Sequence, residues 1–213
     1  HTIKITKTDG SKQTISGKNI IIATGSKPSS FPSMPIDKKR VITSTEALTL
    51  KEIPKHLIVI GAGVIGAELG SVYARIGAKV SFVEFFDSMI PTMDNTMGKE
   101  LQKVIKKLGA DFYFSHKVTK VENKGDEVVV SMDTPKGEQT TLTGDYCLVS
   151  VGRRPYTEGL NLEAAGLKTD ERGRIEVDEH LRTSVPHIYA LGDVIRGAML
   201  AHKAEEEGTF IAE

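Results

Sequence analysis

Three glycines, Gly61, Gly63 and Gly66, stand in G-x-G-x-x-G spacing directly after the apolar run Leu57-Ile-Val-Ile60. In a dinucleotide-binding loop the first glycine permits a tight turn and the second lets a pyrophosphate approach the backbone. The third lets a helix pack against the strand. A helix opening at Val64 would offer its free N–H groups and partial positive charge to the phosphates. The candidate cradle is therefore Gly61, Ala62, Gly63, Val64, Ile65 and Gly66. Glu84 follows at about the 20-residue distance at which an acidic side chain accepts from adenosine ribose hydroxyls. A 2′-phosphate would meet a like charge there, and Phe85-Phe86-Asp87 supplies no cation to offset it. The pattern reads as NAD in preference to NADP, with FAD as the competitor that this motif alone does not separate.

The elements that must position these residues are legible around them. Leu57–Ile60 has no polar alternation, as expected of a parallel strand buried on both faces. An apolar helical pattern runs from Val64 to Ile76 and stops at Gly77, and a second strand covers Lys79 to Val83. Asp94 is a candidate N-cap for a helix with Met97, Leu101, Val104, Ile105 and Leu108 at core spacing and Gly109 as its stop. Lys103, Lys106 and Lys107 form that helix's polar face. A third strand is expected over 111–115. Short alternating runs at 118–121, 127–132 and 139–142, broken at Lys124-Gly125 and Pro135-Lys136-Gly137, read as an antiparallel meander. Residues 146–151 return to a buried strand. The class is α/β: a parallel sheet with an antiparallel β-meander.

On either side of this region the texture differs. Thr2 to Lys7 alternates with period two, Asp9-Gly10 signals a hairpin, and Ile20-Ile-Ile-Ala23 reads as a strand buried on both faces. Residues 27–54 contain Pro28, Pro32, Pro35 and Pro54 and read as a linker, with Ser44 capping a short helix through Leu50. After Pro155 come turns, a short strand at 174–177, another at 187–193 ending in Asp193, and a helix after Met199. A buried strand with no sheet neighbours before it and a final helix cut short lead us to expect the central part of a longer protein.

Composition narrows the class. Lys plus Arg and Asp plus Glu number 28 each in 213 residues, which argues against nucleic acid or an anionic membrane as the main partner. No apolar run approaches the roughly 20 residues that span a bilayer. Cys147 is the only cysteine, so no disulfide or thiol pair can form within these residues; it reads as a small apolar core residue. The histidines are scattered, without ligand spacing. His56 and His116 read as surface or loop residues.

Taken together, Ala23-Thr-Gly-Ser26, Gly61-Ala-Gly-Val-Ile-Gly-Ala-Glu68, Val83-Glu84, Val151-Gly-Arg-Arg-Pro155, Ala190-Leu-Gly-Asp-Val194 and Met199-Leu-Ala-His-Lys-Ala-Glu-Glu-Glu-Gly208 resemble the dihydrolipoyl dehydrogenase branch of the two-dinucleotide flavoprotein disulfide reductases. The resemblance implies a Rossmann-like NAD-binding domain at 55–154, inserted between two pieces of an FAD-binding domain at 1–26 and 155–213. It implies NAD at Gly61–Gly66 and Glu84, with Val118 lining the adenine pocket and Gly152 admitting the cofactor. Glu68 would lie near nicotinamide and flavin, or merely complement the helix dipole. Thr24, Gly25, Ser26 and Asp193 would contact FAD, Asp193 through the ribitol, or else Asp193 is only a helix cap. Met199, Leu200, Ala201 and His202 would set a helix N-terminus against the flavin. Arg153-Arg154 either touch the cofactor or form a solvated pair, and at least one is expected to be solvated.

By the same resemblance the whole enzyme is a homodimer that oxidises dihydrolipoyl groups of 2-oxo acid dehydrogenase complexes, in the cytoplasm or, in a eukaryote, the mitochondrial matrix. The family's redox cysteine pair and its last domain's His/Glu pair match nothing here, so the chain alone is expected to be inactive. Two other readings are another NAD(P)H-dependent disulfide reductase and a non-catalytic dinucleotide-binding module. Glu84→Arg is expected to weaken NAD binding with little change in folding.

Overall fold

The computed structural model describes residues 1–213. Its first strands are β1 (Thr2–Thr6), β2 (Lys12–Ser16), β3 (Ile20–Ile22), β4 (Ser26–Pro28) and β5 (Val41–Ile42), followed by helix α1 (Ser44–Ala47). Next come β6 (His56–Ile60), α2 (Val64–Arg75), β7 (Lys79–Val83), α3 (Asn95–Lys107) and β8 (Asp111–Tyr113). The strands β9 (Lys117–Asn123), β10 (Val128–Asp133), β11 (Gln139–Gly144), β12 (Tyr146–Val149), β13 (Arg153–Pro155) and β14 (Ile188–Ala190) precede α4 (Ala201–Ala212). Two compact units result: residues 28–152, and residues 1–27 together with 153–213.

In the unit 28–152, five parallel strands lie in the order β5-β12-β6-β7-β8. Period-two geometry sends successive side chains to opposite faces, and both faces are covered. Leu57, Val59, Val80, Phe82 and Leu148 pack with Ala67 and Tyr73 of α2 and Ile105 of α3. Ile58, Ile60, Val83, Cys147 and Val149 pack instead with Val121, Val128, Val130 and Met132 of the antiparallel sheet β11-β10-β9. The meander thus covers the face that a helix would cover in a repeating βαβ unit. That explains why the parallel strands carry no polar alternation.

The stretch 27–54, read from its prolines as a linker, supplies structure to this unit. Val41 and Ile42 are buried, and β5 pairs in parallel with Cys147 and Leu148 as the edge of the sheet. A two-residue strand is too short to register as a pattern. The helix after it is capped by Thr43 and not by Ser44. Thr43 Oγ1 accepts from the Thr45 N–H at 3.3 Å, and Glu46 accepts from the Thr43 N–H at 2.9 Å. This capping box orders a single turn, and the Tyr73 hydroxyl of α2 donates to the Ala47 carbonyl. Asp94 does cap α3, accepting from the Thr96 N–H at 2.7 Å.

In the other unit, β1 and β2 form the hairpin turning at Asp9-Gly10, with Thr2 opposite Ser16 and Thr6 opposite Lys12. β3 pairs in parallel with β14, and β4 pairs with β13. Ile175, Ala190, Val194 and Ile195 make a small core with Ile22 and Leu162 against it. Two expectations change here. Ile20–Ile22 is not buried on both faces, since Ile21 is 50% exposed. Residues 174–177 form no strand beyond the single bridge Thr169–Ile175. Asp170 is the cause: its side chain accepts from the N–H groups of Arg172 and Arg174 and from the Arg174 guanidinium, closing a turn over those residues.

Candidate functional site

The loop from β6 to α2 is shaped by close approach. The Gly61 N–H extends the ladder to the Val83 carbonyl at 2.9 Å, and its φ of +96° lies where side chains are strained. A Cβ there would also stand 2.6 Å from the Ser150 carbonyl oxygen. A Cβ on Gly66 would run into the Gly61 carbonyl oxygen and stand 2.7 Å from Ser150 Oγ. Gly63 is different: nothing lies within 4 Å of where its Cβ would be. It is also the N-cap of α2, with no side-chain cap. The first-turn N–H groups of α2 therefore open onto unfilled space, the geometry that receives an anion. Val64 is exposed and Ile65 half-buried beside it.

Glu84 ends β7 and is only 6% exposed. One carboxylate oxygen accepts from the Ala62 N–H at 2.7 Å and the other from the Phe86 N–H at 2.9 Å. Ala62 thus commits its donor to Glu84 and is not available to a phosphate. Each oxygen keeps a second lone pair for a ligand hydroxyl. Phe85 and Phe86, 64% and 54% exposed, are edge to face beyond it. The Glu84 carbonyl accepts from the His116 N–H at 3.0 Å, so the segment leading into β9 lies beside it. Val118, half-buried on β9 opposite Met132, packs on the meander-side core. Glu68 is exposed one turn into α2, and Gly152 is exposed with φ of +118°.

In the unit 1–27 with 153–213, the Ser26 hydroxyl donates to Asp193 Oδ2 at 2.5 Å. Arg153 Nε donates to that same hydroxyl at 2.7 Å, and its Nη2 to the Ser26 carbonyl at 2.8 Å. A guanidinium has no acceptor. Ser26 must therefore accept from Arg153, and its one proton points at Asp193. The Thr24 hydroxyl donates to the Tyr156 carbonyl at 2.6 Å, while the Gly25 carbonyl accepts from the Tyr156 N–H. Arg154 is the solvated member of its pair, bonded to exposed Glu158 at 2.8 Å. At the other end of the Leu191–Asp193 turn, Glu207 accepts from the Gly192 N–H at 2.7 Å and pairs with Lys203 at 2.6 Å. Leu200 is the N-cap of α4 and carries no capping oxygen. Ala201 and His202 are exposed after it, and Met199 is half-buried before it.

Sequence reasoning missed Arg153 as a partner of Ser26, the Lys203–Glu207 pair and Ser150. Only the Lys203–Glu207 spacing of four was a visible signal. His56 is also not a surface residue: it is half-buried at the start of β6 with Nε2 2.8 Å from Ser81 Oγ. Burial, with the Lys79 charge nearby, lowers its pKa.

Cys147 lies fully buried on β12, where loss of water and then the Asp37 charge push its thiol well above the ordinary range. A thiolate is the reactive form. We expect no reaction with a disulfide reagent in the folded protein and one equivalent of reaction in urea. Fast labelling of the folded chain would overturn this placement.

The sequence profile of the pyridine nucleotide-disulphide oxidoreductases matches residues 1–208. The mitochondrial dihydrolipoyl dehydrogenase of Dictyostelium discoideum is 50% identical over 216 residues, covering 100% of this chain and 44% of that protein. The leghemoglobin reductase of Glycine max is 49% identical over 99% of this chain and 40% of its own length. Among solved structures, the HOCl-induced flavoprotein disulfide reductase RclA of Escherichia coli superposes with a TM-score of 0.91 at 29% identity, over 100% of this chain and 47% of that one. The chain therefore spans less than half the length of these relatives. FAD and NAD are the cofactors of the dihydrolipoyl dehydrogenases among them. No helix is long and apolar enough to cross a membrane. With a profile match running nearly end to end, this chain belongs to the pyridine nucleotide-disulphide oxidoreductase family.

Proposed function

We propose that residues 28–152 are the NAD(H)-binding part of a dihydrolipoyl dehydrogenase, and that residues 1–27 and 153–213 contribute to its FAD-binding part. The observation that carries the nucleotide reading is the open cradle at Gly63. There an uncapped helix N-terminus meets unfilled space, with the Glu84 carboxylate fixed beside it by two backbone donors. The N–H groups of Gly63 to Gly66 would hold the pyrophosphate, Glu84 the ribose hydroxyls, and Val118 the adenine side. Gly152 would leave room for backbone approach, and Glu68 would face the nicotinamide end.

For the flavin, Ser26 and Arg153 fix one oxygen of Asp193, leaving Oδ1 to accept from a ribitol hydroxyl. The residues Met199 to His202 would bring an uncapped helix N-terminus to the ring, whose positive end favours anionic reduced flavin. Thr24 and Gly25 would contact the same cofactor through backbone. FAD and NAD, when bound, supply the hydride transfer that links dithiol oxidation to nicotinamide reduction. The chain's own residues bind and orient them. In the complete enzyme, a homodimer, the reductant would be the dihydrolipoyl group of a 2-oxo acid dehydrogenase complex, in the mitochondrial matrix or the bacterial cytoplasm. The chain by itself would turn over no disulfide, because its one cysteine is buried.

Calorimetric titration of the chain with NADH and then NADPH tests the proposal. We expect micromolar NADH binding and NADPH weaker by at least about tenfold, since the 2′-phosphate must approach a carboxylate. Equal binding would sink the Glu84 assignment, and no binding of either would sink the nucleotide reading.

A further inference from the structure

We infer that Ser150, one residue past β12, is the positioning residue that holds the glycine loop in its nucleotide-ready shape. This rests on reading Gly61–Gly66 as the nucleotide cradle. The Ser150 hydroxyl is 2.9 Å from the Ile60 carbonyl oxygen and 2.9 Å from that of Gly61, so its single proton is shared across the point where strand becomes loop. The Ser150 N–H donates to the Ile60 carbonyl as well, at 2.8 Å. Ile60 is therefore satisfied without the hydroxyl, and the hydroxyl's distinctive partner is the Gly61 carbonyl.

That carbonyl is the group which crowds Gly66. A Cβ on Gly66 would collide with it and with Ser150 Oγ, while a Cβ on Gly61 would meet the Ser150 carbonyl oxygen. Two of the three glycines are thus obligatory because of where Ser150 and the carbonyl it fixes are placed. Only the open glycine, Gly63, faces the space for a ligand. With the Gly61 carbonyl drawn toward β12, the peptide planes that follow aim their N–H groups away from the sheet and toward that space. Ser150 need not touch the nucleotide to do this. Its contribution is to remove the alternative orientation in which the Gly61 carbonyl turns into the cradle and repels the phosphates.

Ser150→Ala in the full chain separates this role from a merely structural one. We expect the NADH dissociation constant to rise about tenfold by calorimetry, with the thermal unfolding midpoint within a few degrees of the parent, since the backbone bond to Ile60 persists. In a second comparison, Gly66→Ala is introduced in both backgrounds and read by thermal unfolding. The Ser150→Ala background should tolerate it better, because the Gly61 carbonyl can then swing aside. Unchanged NADH affinity in Ser150→Ala, with the parent chain binding normally, would overturn the role of Ser150 and leave the nucleotide reading intact. Failure of the parent chain to bind NADH would overturn both. A lowered midpoint with unchanged affinity would reduce Ser150 to a structural residue.

Discussion

Glu84→Arg will unfold the chain or bring it close to unfolding, as well as abolish NADH binding. From sequence the substitution is a pure test of ribose recognition, with folding untouched. The structure overturns that expectation. Glu84 is 6% exposed and its two oxygens satisfy the N–H groups of Ala62 and Phe86. Hydrogen bonds to a charged group are each worth roughly 1.5–3 kcal/mol. Loss of two, with a guanidinium forced into the same space, costs at least about 3–6 kcal/mol against a typical total of about 5–15 kcal/mol.

Glu84→Gln separates the two roles. Its amide oxygen can serve one backbone donor, but its NH₂ faces the other, a loss of about 1–3 kcal/mol. NADH affinity should fall about 10–100-fold for the lost charge-assisted bond. Urea unfolding and NADH titration of both variants check this. If Glu84→Arg retained the parent midpoint, the carboxylate would not be the clasp between the loop and the end of β7 that its hydrogen bonds describe.

Glu84 shows what the sequence makes legible. Its position after β7 follows from the distance to the glycines and from the apolar run before it. The βαβ unit, the cap at Asp94 and the three meander strands follow from patterns several residues long. What stays hidden depends on single contacts between residues far apart in sequence. Arg153 reaches Ser26, Ser150 reaches Gly61, and His56 reaches Ser81, and none of these pairs has a periodic signature. Ser26 and Asp193 are each legible as polar residues after a strand. Their hydrogen bond is not, nor is the direction of its proton, which the donor-only guanidinium of Arg153 fixes. The two-residue strand β5 escapes because neighbouring prolines dominate its window, while its pairing partner lies about a hundred residues on.

Phe82→Ala will be the costliest single truncation, at about 3–5 kcal/mol, and it will change the sign of a second substitution. Phe82 is fully buried on β7, stacked on Phe112 at 5.2 Å between ring centroids, and it faces Gly70 of α2. A Cβ on Gly70 would run into the tip of the Phe82 ring, standing 2.7 Å from Cε1. α2 therefore lies as close to the sheet as it does because a helical residue without a side chain meets a large ring.

In the parent, Gly70→Ala should cost about 1–3 kcal/mol from this overlap, which outweighs the roughly 1 kcal/mol that Ala gains over Gly in a helix. With Phe82→Ala in place the overlap is gone, and Gly70→Ala should become neutral or stabilising, an interaction term of about 1–3 kcal/mol in a double-mutant cycle by urea unfolding. The functional consequence follows from geometry. Gly70 lies on the same helix whose N-terminus forms the cradle, so pushing α2 off the sheet shifts the Gly63–Gly66 N–H groups relative to Glu84, which is fixed to β7. NADH affinity should fall in Gly70→Ala and return in the double variant. Additive stabilities would mean that α2 takes its distance from elsewhere, and the pairing of Gly70 with Phe82 would not be what seats the cradle.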